Sequence, residues 1–427
     1  MAHSRSKRSH QGTGDSSKEK SALQRSNSLK HARQSKPNGL TDAQATKLVL
    51  RLMAIPGRSG EEQKVAKFIT NQLCRAGANP VAIRSDQAHQ KTPIAGQTGN
   101  LVFEMPGTLR GPRRLLVAHM DTVPICVGAQ PECHGQRVIS SDPQTGLGAD
   151  NRAGVGVLLS TALAILRQQL PHPPLTFLWT VQEEVGMQGA RFVRLGLLKK
   201  PQLAFNWDGG SPEKLTIGAT GGYRMKIDIR GRASHAGGAP EMGISAIAVA
   251  SLAITDLVES GWHGLICKGK NRGTSNVGVI SGGMATNVVT DHVTLRAEAR
   301  SHDPKFRLRI VTAIEKAFTR AAGKIRSVDG ACGQVEIDGR LEYESFRLAT
   351  DDPSCVAAQH AIRAAGREPE LAVANGGLDA NWLTARGIPT VSLGCGQSNI
   401  HTVLEELQLD EFHRARQLAL SLVTGSE

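Results

Sequence analysis

Three stretches decide the fold: LLVAHMD at 115–121, LTFLWTVQEE at 175–184 and, between them, GLGADNRAGVGVLLSTALAILRQQ at 146–169. The outer two are short apolar runs that end in polar residues, as strands buried within a sheet do. The middle one reads as a helix behind a Gly-rich loop. LAFNWDG (203–209) and TVSLGCG (390–396) repeat the strand pattern. The alternation predicts an α/β fold, a mostly parallel sheet sandwiched by helices. Thr41-Asp42-Ala43-Gln44 reads as a capping box that opens the first helix.

Residues 215–345 keep a different rhythm. GGYRMKIDIRG reads as a strand, GISAIAVASLAITDLVES as a helix, SNVGVISGG and HVTLRAEARS as strands, PKFRLRIVTAIEKAFTRAAG as a helix and QVEIDGRLEYESF as a strand. The order β-α-β-β-α-β is that of a ferredoxin-like α+β unit. The α/β pattern resumes afterwards. The unit is therefore expected to be inserted into one discontinuous domain made of residues 39–214 and 346–427.

The 427 residues carry a formal net charge of +13, but its distribution argues against a nucleic-acid-binding body. Residues 1–40 hold nine Lys or Arg against two Asp or Glu, so about half the excess sits in a Ser-rich, polar segment. Residues 1–38 are expected to be a disordered basic tail, because they offer too little apolar surface to offset ordering entropy. The tail lacks the apolar core of a secretory signal and the amphipathic stripe of a transit peptide. Contact with anionic surfaces is the one role its charge suggests. The seven cysteines are scattered, with no C-x-x-C pair, which suits a reducing compartment. The longest apolar stretch, 244–254, is too short to cross a bilayer, so a cytoplasmic protein without membrane contact is expected.

Candidate chemistry sits at the ends of the strands, where open α/β sheets build their sites. His119 and Asp121 close the first strand on one face, suiting an imidazole ligand with a carboxylate behind it. Asp150 lies in the Gly-rich loop, where a carboxylate can bridge two cations. Glu183 and Glu184 close an apolar strand, a costly pair to bury without a cation or a proton. Asp208 ends the next strand and His401 follows the last. Each has an ordinary reading: a turn residue, a helix cap or a solvated helix start. Together, two His, a bridging Asp and two terminal carboxylates form a shell for two divalent ions.

In order and spacing, AHMDTV, LGADNRAG, TVQEEVGMQGA, NWDGG, GRASHAGGAPEMGISAI, TNVVTDHVTLRAEARS, NGGLDANWL and NIHT resemble the co-catalytic di-zinc exopeptidases. That family includes peptidase T, aminoacylases and glutamate-releasing carboxypeptidases, and the resemblance is nearest to peptidase T. It spans about residues 40–425 and stops at the basic tail. It implies that Asp150 bridges two ions, Zn²⁺ with Co²⁺ or Mn²⁺ as alternatives. His119 and Asp208 would complete one ion, Glu184 and His401 the other, with Asp121 orienting His119. Glu183 would be the general base. His235, in SHAG, resembles a lid histidine aimed at the scissile carbonyl, often from a neighbouring subunit. Asn287 and Arg300 resemble a pair that holds the substrate carboxylate. The inserted domain would serve as lid and as homodimer contact. Asn151 departs from the pattern, since an acid commonly follows the bridging Asp. Asp at the fifth ligand leans towards aminopeptidases, and peptidase T relatives release the N-terminal residue of tripeptides. A carboxypeptidase or N-acyl amino acid hydrolase is the alternative on the same shell. A non-catalytic binding protein would be expected to lack one of these groups.

Overall fold

The computed structural model describes residues 40–425, so the expected disordered tail at 1–38 lies outside the described residues. Along the chain the strands are β1 (Ile83–Ser85), β2 (Leu101–Met105), β3 (Arg114–His119), β4 (Pro131–His134), β5 (Arg137–Ser140) and β6 (Leu175–Thr180). There follow β7 (Leu203–Trp207), β8 (Lys214–Ala219), β9 (Gly221–Arg230), β10 (Gly264–Lys268), β11 (Asn271–Gly282) and β12 (His292–Ser301). The last are β13 (Gln334–Tyr343), β14 (Phe346–Arg347), β15 (Glu370–Ala374), β16 (Val391–Leu393), β17 (Gln397–Ser398) and β18 (Glu406–Gln408).

The capping box forms as read. Gln44 N–H donates to Thr41 Oγ1 and Thr41 N–H to Gln44 Oε1, opening the helix Asp42–Met53. The main sheet has the order β1-β2-β6-β3-β7-β16-β8-β14, with β15 alongside β8. Its centre is parallel, β6 and β7 flanking β3 and β16 following β7. Towards the margins antiparallel pairs join it, at β1/β2, β2/β6, β8/β16 and β8/β14, beside the parallel β8/β15, so the parallel strands lie within a mixed sheet flanked by helices. Helices cover both faces. Leu116 and Ala118 of β3 enter one core while the alternating Leu115 and Val117 enter another. The helix Ala149–Gln168 is buried at every residue from Ala149 to Ile165, which is why its sequence is apolar all round rather than striped.

The strands of the middle region make a second, antiparallel sheet in the order β10-β11-β12-β9-β13. The helices Ala246–Glu259 and Pro304–Lys324 pack on it around a core of their own, with Ile227, Leu295, Phe306, Ile314 and Phe318. Five strands are present where four were expected. The extra one, β10, is a five-residue edge strand that forms a hairpin with β11 and buries only Ile266. The expected boundaries also shift. β8 and β14 belong to the main sheet, so this sheet occupies Gly221–Tyr343, and QVEIDGRLEYESF divides between two sheets. A third sheet, β17-β18-β5-β4, carries the loop with His401. Among the described residues no helix is long and apolar enough to cross a membrane.

Candidate metal centre

In the main sheet His119 stands opposite Thr180, Val117 opposite Asn206 and Leu393 opposite Trp207. The carboxyl ends of β3, β6, β7 and β16 therefore finish at one edge, and whatever follows each strand converges there. His119 ends β3, Glu183 and Glu184 follow β6, Asp208 follows β7, and the chain beyond β16 reaches His401 through β17. Asp150 enters at the start of the helix Ala149–Gln168, behind Gly148 with φ of +75°. His401 itself has a φ of +64°, a left-handed conformation uncommon outside glycine and frequent at functional sites.

These side chains form two triads that share one carboxylate. His119, Asp150 and Asp208 make the first, Asp150, Glu184 and His401 the second, with the ligand atoms of each triad within 4.8 Å of one another. His119 Nε2 lies 3.1 Å from Asp150 Oδ1 and 3.9 Å from Asp208 Oδ2. His401 Nε2 lies 3.3 Å from Asp150 Oδ2 and 2.9 Å from Glu184 Oε2. The two oxygens of Asp150 thus point to different imidazoles. Imidazole and carboxylate donors in this number fit two divalent ions of the zinc, manganese or cobalt type.

Asp121 organises the edge from beneath. It is fully buried, with Oδ1 3.4 Å from His119 Nδ1. It accepts the backbone N–H of Glu183 at 3.0 Å, that of Glu184 at 3.2 Å and the Ser59 hydroxyl at 2.7 Å. One carboxylate therefore orients an imidazole and the peptide on which both glutamates stand. Burial opposes its charge, yet the hydrogen bonds and charge of His119 hold it below the ordinary carboxylate range.

The remaining acids are pushed the other way. Burial, with Asp208, Glu184 and Asp379 adding repulsion against the pull of His119, raises Glu183 well above its ordinary value. Burial likewise raises Glu184 to about 7 and Asp208 to about 6. His401 is pushed up to about 10 by its hydrogen bonds to Asp150 and Glu184. So many buried carboxyls need positive charge nearby, and a cation held by the triads would provide it.

The three residues expected from the middle region do not join this cluster. His235 is exposed, and its Nδ1 accepts the N–H groups of Gly237 at 3.1 Å and Gly238 at 2.8 Å, which leaves the proton of a neutral ring on Nε2. Asn287 is exposed beside it: its carbonyl accepts Ala236 N–H at 2.9 Å, and Val288 bridges His235. Arg300 donates to both oxygens of Glu298, at 2.9 and 3.0 Å. It lies at the other end of β12, paired with Thr274, whereas the loop with Asn287 precedes His292. The eight steps from His292 to Arg300 span about 27 Å of extended strand.

Other side chains serve the edge without having been singled out. Glu405 accepts Gly148 N–H at 2.7 Å and Asp150 N–H at 2.9 Å, pinning the loop of the shared carboxylate. Asp379, within NGGLDANWL, is buried and accepts the hydroxyl of Thr180 at the end of β6; burial raises it to about 7. Glu62 is buried and accepts Gly60 N–H at 2.8 Å and Gln182 N–H at 3.0 Å, just before the two glutamates. The adjacent Glu405-Glu406 pair and the position of Asp379 inside a quoted motif were the only signals available.

A family model described as peptidase family M20/M25/M40 matches residues 115–424. The chain belongs to this family. The M20 chain is thereby a hydrolytic metallopeptidase, and among the described residues its two triads are groups that could hold a metal ion. It is 29% identical over 375 residues to the uncharacterised protein YqjE of Bacillus subtilis strain 168, covering 88% of this chain and 96% of that one. The crystal structure of a tripeptidase from Staphylococcus aureus superposes on this M20 fold with a TM-score of 0.81 at 29% identity, covering 90% of this chain and 98% of the other. That of aminopeptidase PepT from Bacillus cereus does so at 0.78 and 28%, with 90% and 98% covered.

Proposed function

We propose that this M20 metallopeptidase removes the N-terminal residue of tripeptides with two divalent ions, Zn²⁺ first and Co²⁺ or Mn²⁺ as alternatives. The observation that carries the reading is the pair of triads joined at Asp150, with the buried Glu183 beside them. The tripeptidase and aminopeptidase among the similar structures support the choice of substrate end and length. Ions bound here would supply Lewis acidity and acidify a water. Glu183, its peptide N–H fixed by Asp121, takes the proton of the attacking water and returns it to the leaving amine. Asp121 keeps His119 in one orientation throughout.

His235 offers an Nε2–H to the developing oxyanion, and Arg300 with Asn287 receives the substrate carboxylate. The length of β12 keeps Asn287 and His235 away from Arg300 in one chain. The reading therefore includes a homodimer in which one subunit lends its His235–Asn287 tip to the other's site. Ile247, Val279, Ile280, Met284 and Val288 are exposed apolar residues in this region. β11 continues beyond β10 as an open edge from Asn276 to Gly282, a surface suited to pairing with a second copy.

Hydrolysis of tri-Ala by Zn²⁺-loaded protein, beside di-Ala, N-acetylated tri-Ala and the Glu183→Ala variant, tests the proposal. Cleavage confined to free tri-Ala and lost in the variant is the expected outcome. Cleavage of the acetylated peptide instead would replace it with a carboxypeptidase or deacylase.

A further inference from the structure

Behind the first triad stands a small layer of neutral polar side chains that no charge demands. Gln397 is buried and its Nε2 donates to Asp208 Oδ1 at 3.1 Å. Its Oε1 lies 3.4 Å from the Sγ of Cys395, which is fully buried and whose thiol burial pushes well up, so it stays a donor. The carboxylate, which can only accept, fixes which way the amide faces: nitrogen to Asp208, oxygen to the sulfur. With Oδ1 of Asp208 engaged, Oδ2 is the oxygen that faces His119.

Asn151 completes the layer from the other side. Its Nδ2 donates at 2.7 Å to the carbonyl of Trp207, the peptide that precedes Asp208, and its Oδ1 accepts Gly154 N–H at 3.0 Å. Only an amide makes both bonds: an ionised carboxylate could accept from Gly154 but has no proton to donate to Trp207, and an aliphatic side chain makes neither. Asn151 follows Asp150 directly and lies 3.6 Å from the same Cys395 sulfur. One amide thus ties the Asp150 loop to the end of β7, while the other holds the Asp208 side chain that leaves it.

We infer that Asn151 and Gln397 are positioning residues which set the spacing of Asp150 and Asp208, and so chiefly the affinity of the ion held with His119, to which both carboxylates belong. The inference rests on the two-ion reading above. Loss of a side chain that orients a ligand typically weakens a metal by about 10- to 100-fold. The layer accounts for Asn at 151: an acid there would add charge near the ions yet lose the bond to Trp207.

The test is calorimetric titration of chelator-treated protein with Zn²⁺, on wild type, Gln397→Met, Asn151→Leu and Asn151→Asp. Wild type binding of two equivalents secures the reading on which the inference rests; fewer would remove both. In Gln397→Met one equivalent is expected to weaken by about tenfold or more and the other to stay unchanged; in the Asn151 variants, which also free the loop of the shared Asp150, the same equivalent weakens the more. Placed in a Glu184→Ala background, Gln397→Met weakens the remaining equivalent; in an Asp208→Ala background it does not. Two equivalents bound as in wild type by Gln397→Met and Asn151→Leu would overturn the inference. So would tighter binding by Asn151→Asp, the result expected if added charge alone mattered. Should Gln397→Met fail to fold, Asn151→Leu carries the same test.

Discussion

The edge of the main sheet and the far end of the second sheet carry functional residues in opposite ways. At the main-sheet edge five candidate ligands arrive from four strand ends and one helix start, and within each triad their ligand atoms already stand within 4.8 Å of one another. At the far end of the second sheet His235 and Asn287 face solvent, linked through the Ala236 N–H to Asn287 carbonyl bond and the His235–Val288 bridge. The first arrangement follows from register, because parallel neighbours end together and their trailing residues must meet. In the second, the length of β12 separates Asn287, which precedes it, from Arg300 near its far end.

That contrast can be broken at several places, in descending order of effect. Replacing Glu183 by Ala removes the proton carrier from an otherwise intact cage. Activity is expected to fall by about 10²- to 10⁴-fold, with zinc affinity in calorimetry hardly altered. Equal loss of metal and activity would make Glu183 a ligand instead. Replacing His235 by Ala at the tip is expected to cost about 10²- to 10³-fold in kcat. Mixing that variant with Glu183→Ala and allowing subunits to exchange is then expected to restore activity, because some dimers regain one whole site. No recovery on mixing, with dimers seen by light scattering, would place His235 in its own subunit's site or in none.

Smaller effects test the buried side alone. Asp121→Ala frees His119 and two backbone N–H groups, so zinc affinity is expected to drop by about 10- to 100-fold. An unchanged affinity would show that the imidazole needs no such support. The smallest concerns Glu62, whose carboxyl is pushed up from an ordinary 4.5 to about 7 by burial first and by Asp121 second. Because its folded value lies above the unfolded one, its contribution is full below about pH 4.5 and is lost as pH rises through 7. Glu62→Gln keeps an oxygen for Gly60 and Gln182 without the charge. Its Tm is expected to exceed that of the wild type at pH 8.5, by about 2–4 °C, and to match it at pH 5. A lower Tm at pH 8.5 would mean that the Glu62 charge is stabilised where it lies.

The two regions also differ in how far they could be read beforehand. His119, Asp150, Glu184, Asp208 and His401 were legible because each interrupts an apolar context at the end of a strand or the mouth of a helix, where a polar residue needs a reason. Glu405, Gln397 and Glu62 were not, because they reach the site through hydrogen bonds that cross 120 to 257 positions of chain, contacts that leave no local pattern. The alternating burial of β9 and β12 made the second sheet visible. Its strand β10 stayed hidden because a short edge strand with one buried side chain has almost no alternation to detect. The parallel centre was legible from unbroken apolar runs, whereas strand direction at the margins depends on connections that composition does not encode.

Asp150 is where the account is most exposed, since everything rests on one carboxylate serving two triads. The most direct test is the zinc content per chain after dialysis, measured by elemental analysis for wild type, Asp208→Ala, Glu184→Ala and Asp150→Ala. The account predicts two ions in the wild type, one in each of the first two variants and neither in Asp150→Ala. An Asp150→Ala protein that is folded and still holds one ion at wild-type affinity would contradict the sharing.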